Sequence, residues 1–298
     1  MTLKTIVLTC FAMTAFAANS VFCRFALEIG SMDAGSFTLI RLGSGAVFLT
    51  LLAGRKAFCR PRNKAAWAMP LMLALYALFF SLAYVDLGTA TGALILFGVV
   101  QATMLIAGFL DGERPGGVRT LGMATALLGL VYLLFPGLSS PSPLGAFFMV
   151  LAGIFWGIYC LLGKQVSNPV DTTAFNFIWA VFLFLGPTLF LSDFSPFSPG
   201  SLPWEPGLSG TGFWAAVLSG SLASGAGYVS WYAAIKGLTA TQAASVQLTV
   251  PVIASCGGVF FLSESVTLRL FIASVVILSG VGLALLPTKK RKIFNSKT

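Results

Sequence analysis

Long apolar runs alternate along this chain with short polar linkers. The runs fall at about 5–26, 34–54, 66–85, 88–110, 119–135, 144–163, 173–192, 211–235, 240–261 and 268–286. Each approaches the roughly 20 residues that a helix needs to cross a ~30 Å hydrocarbon core at ~1.5 Å per residue. The pattern predicts an all-α membrane protein with ten transmembrane helices. Charge and turn residues collect in the linkers, as in 55–64, Asp111-Gly112-Glu113-Arg114-Pro115, 136–143 and 192–210.

Composition agrees: 57% of the 298 residues are hydrophobic and 9% charged, where soluble domains are about a quarter charged. Ten spans leave only short loops, so no appended catalytic domain is expected. The formal charge of +9 would suggest a nucleic-acid partner if it were spread over a soluble surface. Its placement gives a different answer. With the N-terminus in the cytoplasm, Lys4, Arg55, Lys56, Arg60, Arg62, Lys64, Arg114, Arg119, Lys164, Lys236, Lys289, Lys290, Arg291, Lys292 and Lys297 all fall on the inner side. Of the 18 basic residues only Arg24, Arg41 and Arg269 remain for the outer side or the membrane. That bias puts both termini in the cytoplasm and makes the lipid bilayer, with no nucleic acid, the expected surrounding.

A repeat then divides the chain. Thr89-Ala90-Thr91-Gly92-Ala93 in span four recurs near 150 residues later as Thr239-Ala240-Thr241-Gln242-Ala243 in span nine. Phe109-Leu110 before Asp111 and Glu113 parallels Phe261-Leu262 before Glu264, and Arg119 opening span five parallels Arg269 opening span ten. Five spans per half force the second half to enter the membrane upside down, giving two inverted five-helix repeats. The expected organisation is a first repeat over 1–140, a second, inverted repeat over 141–288 and a basic cytoplasmic tail over 289–298. Lys4, the first apolar run and Ala15-Phe16-Ala17 imitate a signal peptide, but cleavage there would remove span one and break this symmetry.

The chain resembles the drug/metabolite transporter superfamily in its EamA-like branch of ten-helix bacterial carriers. The resemblance spans essentially the whole chain and is carried by Tyr232-Ala233-Ala234 closing span eight, Ala243-Ala244 through Val250-Pro251-Val252, Glu264 and Gly280-Val281, with Asn19, Arg24, Arg41 and Trp156-Gly157-Ile158-Tyr159 as further marks. Gln101 departs from it, standing where many relatives have a proline matching Pro251. The resemblance implies a multi-pass inner-membrane secondary transporter of bacteria, working by alternating access on a small-molecule substrate, without cofactor. Amino acids or related amphipathic compounds, exported or exchanged, are the expected cargo. Efflux of drug-like or toxic compounds is the alternative, and a membrane receptor or channel is the alternative outside transport. Monomer and homodimer both stay open.

Such a carrier needs a cavity near the bilayer midplane, so intramembrane polar and aromatic residues are the candidates. Ser221, Ser224, Tyr228 and Trp231 follow steps of three and four and should share one face of span eight. Trp156 and Tyr159 in span six, with Gly153 and Gly157 as a close-packing GxxxG, Gln101 and Gln247 in the repeat-related spans, Asn19, and Tyr76 with Phe80 and Tyr84 complete the expected wall. Pro251 removes a backbone hydrogen bond and, with Gly225 and Gly227, is expected to act as a hinge. Arg41 lies about seven residues inside span two, roughly 10 Å deep. It could contact a substrate anion, with pairing to Glu28, Asp33 or loop carbonyls as the favoured reading.

The chain has no histidine, and its nine acids fall in loops or at span ends. A buried proton relay therefore lacks its parts, and a facilitator or exchanger follows, with Asp86, Glu113 or Glu264 as remote candidates for proton linkage. An intramembrane enzyme would need a nucleophile with a base, or a metal set, and neither can be assembled. Cys10, Cys23, Cys160 and Cys256 lie in apolar runs and Cys59 in a basic loop, without a CxxC pair, so neither a disulfide framework nor a zinc site is expected.

Overall fold

The computed structural model describes residues 2–58, 67–110, 117–135, 140–163, 166, 168–190, 210–238, 246–247 and 249–284. All regular structure among them is helical: α1 Leu3–Glu28, α2 Ala34–Ala53, α3 Ala68–Asp86, α4 Thr89–Leu110, α5 Gly117–Leu134, α6 Pro143–Gly163, α7 Pro169–Phe190, α8 Thr211–Leu218, α9 Gly227–Ala234, α10 Thr249–Leu262 and α11 Leu268–Ala284. A π-helical stretch, Ser219–Ala226, joins α8 to α9. Among the described residues six segments, α1, α2 with its 3₁₀ extension Gly54–Phe58, α3, α4, α6 and α7, are long and apolar enough to cross a membrane, and α5, α10 and α11 contribute shorter apolar helices.

The distribution of polarity is that of a membrane protein. Leu51, Leu110 and Phe260 stand about four-fifths exposed on the outside, where water would penalise them and lipid does not. The interior holds the polar groups instead, with Asn19, Arg41, Gln101, Gln247, Ser219 and Ser224 all buried. In hydrocarbon such groups persist only where the protein supplies partners.

Local chemistry sets the helix starts. Thr2 Oγ1 accepts the amide of Thr5 to begin α1, and Asp33 Oδ1 accepts the amide of Ser36 to begin α2. Small residues set the closest contacts. A Cβ on Gly153 would lie 2.7 Å from Val99, and one on Gly157 would lie 2.9 Å from Thr103, so the GxxxG face of α6 seats on α4.

The closest approach is made by Gly220, where a Cβ would fall 2.0 Å from the carbonyl oxygen of Arg41 and 2.1 Å from Ser44 Oγ. Only glycine lets the π stretch lie directly on the backbone of α2. A π turn holds about one residue more than an α turn, which re-aims the side chains on either side of it.

Candidate functional site

Aromatic side chains from five helices meet at the centre of the bundle. Phe16 and Asn19 of α1, Tyr76 and Phe80 of α3, Leu96 and Phe97 of α4, Trp156 of α6 and Tyr228 of α9 enclose a cavity of about 10 Å³, room for about one water molecule. Trp156 is the hub, with its ring centroid 4.8 Å from Tyr76, 4.7 Å from Tyr228 and 5.9 Å from Phe16. Tyr159 stacks on Trp156 at 5.3 Å, Tyr84 meets Phe80 edge-on at 4.8 Å, and Trp231 meets Phe16 edge-on at 6.0 Å. In this conformation the walls close on one another.

A polar chain runs behind the aromatic wall. Arg41 Nε donates to Ser224 Oγ at 3.1 Å, and Ser224 Oγ donates to Asn19 Oδ1 at 3.1 Å. Ser219 Oγ donates to the same Asn19 oxygen at 2.8 Å. The guanidinium NH2 of Arg41 donates to the hydroxyls of Tyr76 and Tyr228 at 3.3 and 3.2 Å. Its Cζ lies 4.8 Å from the centroid of the Phe80 ring, within cation–π range.

The expected pairing of Arg41 with Glu28, Asp33 or loop carbonyls is corrected by this geometry. Glu28 pairs with Arg24 one helical turn earlier, at 2.9 Å, and Asp33 caps α2. Among the described residues no carboxylate comes within ion-pairing distance of Arg41, whose NH1 has no hydrogen-bond partner although the residue is 1% exposed. Depth in the span shows that Arg41 needs partners, and it does not show that the Asp33 carboxylate is already taken by the α2 amide of Ser36.

The expected stripe Ser221, Ser224, Tyr228, Trp231 is also corrected, at its first member. Ser221 Oγ turns back to the Val217 carbonyl of its own helix, and Ser219 takes the place beside Ser224. Five residues separate those two serines, the spacing that brings side chains together on a π-helix and not on an α-helix.

Asn19, Tyr76, Phe80, Trp156 and Tyr228 thus line the cavity, while Tyr84, Tyr159, Trp231 and Ser224 support its walls. Gln101 and Gln247 are buried but are not among the lining residues, and α4 contributes Leu96 and Phe97 in their place. Phe16, Ser219, Leu96, Phe97 and Asn176, whose amide donates to the Tyr159 hydroxyl at 3.1 Å, were missed. Phe16 stands three residues before Asn19 and could have been found by spacing. The two apolar residues of α4 carried no such mark.

The proposed hinge residues are tightly packed. A Cβ on Gly225 would lie 2.9 Å from Phe48 and one on Gly227 2.9 Å from Ala15, while Pro251 is buried in α10 and its carbonyl accepts from Ser255 Oγ at 2.7 Å.

A second polar group closes the bundle at the Arg24 end. Arg24 NH1 donates to the carbonyls of Tyr84 and Val85 at 3.0 and 2.9 Å, while its Nε lies 2.9 Å from Glu28 and 3.9 Å from Glu264. Glu264 in turn holds the first turn of α4 at Thr89. Asp86 accepts from Ser142 Oγ at 3.2 Å. Glu113 and the Thr239–Ala243 repeat lie outside the described residues.

A lipid-exposed helical bundle around a buried aromatic and polar centre defines a polytopic membrane protein, and comparison with known proteins narrows the class. Residues 143–286 match the EamA-like transporter family. An uncharacterized protein of Pseudomonas aeruginosa is 45% identical over 284 residues, covering 95% of each chain. The uncharacterized transporter YoaV of Bacillus subtilis is 23% identical, over 90% of this chain and 93% of its own. A protein of known crystal structure, 18% identical, shares the fold with a TM-score of 0.66 over 94% of this chain and 98% of its own. The chain belongs to the EamA-like transporters of the drug/metabolite transporter superfamily and is a multi-pass membrane transporter.

Proposed function

We propose that the protein is a bacterial inner-membrane carrier that exports or exchanges small metabolites by alternating access, with amino acids or related amphipathic compounds as cargo. The observation that carries this reading is the central cavity, to which α1, α3 and α4 from one half and α6 and α9 from the other each contribute side chains. Movement of one half against the other would open such a cavity to either side in turn.

The reading takes the chain as ten spans in two inverted repeats, 1–140 and 141–288, with both termini and the 289–298 tail in the cytoplasm. Its α8, π stretch and α9 form one span. The packing supports this plan, because helix contacts occur in exchanged pairs. α3 packs on α6 as α9 packs on α1, α4 on α6 as α10 on α1, and α3 on α7 as the π stretch on α2. The contacts α2 with α7, α4 with α10 and α5 with α11 are their own counterparts. A pseudo-two-fold axis in the membrane plane generates that set.

Under this topology the Arg24 and Glu264 cluster seals the outer side, and the transport cycle must release it. Asp86 and Glu264 are engaged at the bundle end, remote from the cavity, which supports exchange or facilitation over proton coupling. Counterflow in proteoliposomes tests the proposal. Vesicles preloaded with single unlabelled amino acids should accumulate trace label by saturable exchange, which neither a receptor nor a channel would produce. Absence of exchange with any amino acid would move the cargo to other metabolites or to drug-like compounds.

A further inference from the structure

The polar residues lining the central cavity, Asn19, Tyr76 and Tyr228, each have their side-chain oxygen already accepting a hydrogen bond from the protein. Tyr76 and Tyr228 line the cavity with their hydroxyl oxygens already engaged by the Arg41 guanidinium, at 3.3 and 3.2 Å. Each phenol therefore keeps its proton for a third party, since a hydroxyl has one proton to give. Asn19, a lining residue, commits its oxygen to Ser219 and Ser224, which leaves donation by its amide group as the polar interaction it can still offer. Arg41 NH1 has no hydrogen-bond partner among the described residues.

Charge points the same way. A guanidinium near the middle of a membrane helix is expensive, and intramembrane cations normally meet an anion. The partners of Arg41 are neutral: three hydroxyls and the face of Phe80. Hydroxyls satisfy its protons without cancelling its charge. The nearest acids of the same region are used elsewhere, Glu28 by Arg24 and Asp33 by the α2 cap. A full positive charge thus stands one side chain behind an aromatic cavity wall, in a medium that screens it poorly. At the end of the bundle where α1 begins, Lys4 and Lys236 flank a further cavity of about 370 Å³, so an anion approaching from that side meets the same sign of charge.

We infer that the cargo carries an anionic group, a carboxylate in the simplest case, which supplies the missing counter-charge to Arg41 and takes the free protons of Tyr76 and Tyr228, while its apolar part lies among Phe16, Phe97 and Trp156. This rests on the carrier reading above and narrows it. The anionic group is the recognised feature, and an amino group on the cargo has no acceptor assigned to it here. Arg41 acts through charge and bidentate donation, so lysine keeps only the first of these.

The experiment uses the purified full-length protein with four probes: phenylacetate, phenylacetamide, L-phenylalanine and L-phenylalaninamide. Thermal stabilisation in detergent and counterflow in proteoliposomes are read for each. The acids should bind roughly tenfold or more tighter than their amides, the loss expected when a charged hydrogen-bonding partner is removed. Arg41→Lys should keep the preference for acids at lower affinity, and Arg41→Met should abolish it. Activity of phenylacetate without that of phenylalanine would sustain this inference while retiring amino acids as the cargo class. Amides equal to acids in the unaltered protein, an acid preference intact in Arg41→Met, or no response to any of the four probes would each overturn it. The acid-to-amide comparison needs no variant, so a failure of Arg41→Met to fold does not protect the claim.

Discussion

The Glu264 carboxylate receives the first backbone amide of α4, from Thr89, at 2.7 and 2.9 Å to its two oxygens, and the Thr89 hydroxyl at 2.9 Å. The two residues are 175 positions apart. An acid at a helix N-terminus satisfies an orphan amide and opposes the positive end of the helix dipole. The carboxylate has this seat because Gly258 and Gly88 leave room for it, with an added Cβ falling 2.5 and 3.4 Å from its oxygens. Glu264→Ala should cost about 1–2 kcal/mol of stability, the usual range for a lost helix cap. Glu264→Gln keeps an acceptor and should cost less. Thermal unfolding of the detergent-solubilised protein checks the order; equal melting temperatures for Glu264→Ala and the unaltered chain would remove the cap from the account.

Gly220 of the π stretch and Gly43 of α2 form a contrast between a packed and an open glycine. A methyl on Gly220 would strike the Arg41 carbonyl and Ser44, whereas one on Gly43 would meet nothing within 4 Å. Gly220→Ala should drive α2 and the π stretch apart, at a cost of about 1–3 kcal/mol or more. Gly43→Ala should be neutral or gain up to about 1 kcal/mol from helix propensity. Monodisperse yield and melting temperature of the two proteins side by side decide the point.

Ser224 sits between two buried groups, accepting from Arg41 Nε and donating to Asn19 Oδ1. Ser224→Ala leaves the guanidinium with one partner fewer, at an expected cost of about 1–3 kcal/mol. Ser221→Ala removes only a bond to its own helix carbonyl and should be nearly silent. A larger effect at Ser221 than at Ser224 would contradict the π-helical register.

These residues also mark how far the sequence could be read. The helical membrane class followed from run length and hydropathy, because a bilayer imposes one length and one polarity on every span. Five of the cavity-lining residues were accessible for a related reason: polar or amphipathic groups such as Asn19, Tyr76 and Tyr228 are conspicuous among apolar neighbours. Leu96 and Phe97 were not, since an apolar lining residue looks like any lipid-facing one.

Ser219 was hidden by geometry, because the five-residue step joining it to Ser224 exists only once the π stretch has formed. The unneutralised state of Arg41 was hidden likewise. Sequence shows which acids are near in number, and only the fold shows that Glu28 and Asp33 are already committed to Arg24 and to the α2 cap.

The central claim is that the cavity around Asn19 opens to each side of the membrane in turn. The direct measurement replaces the five native cysteines, introduces Asn19→Cys, and labels it in oriented membrane vesicles with an impermeant maleimide from one face or the other, with and without a transported compound. The account predicts slow labelling from both faces, because Asn19 is 2% exposed in this conformation, with rates that a transported compound changes in opposite directions on the two sides. Labelling from one face alone, under all conditions, would contradict alternating access through this cavity.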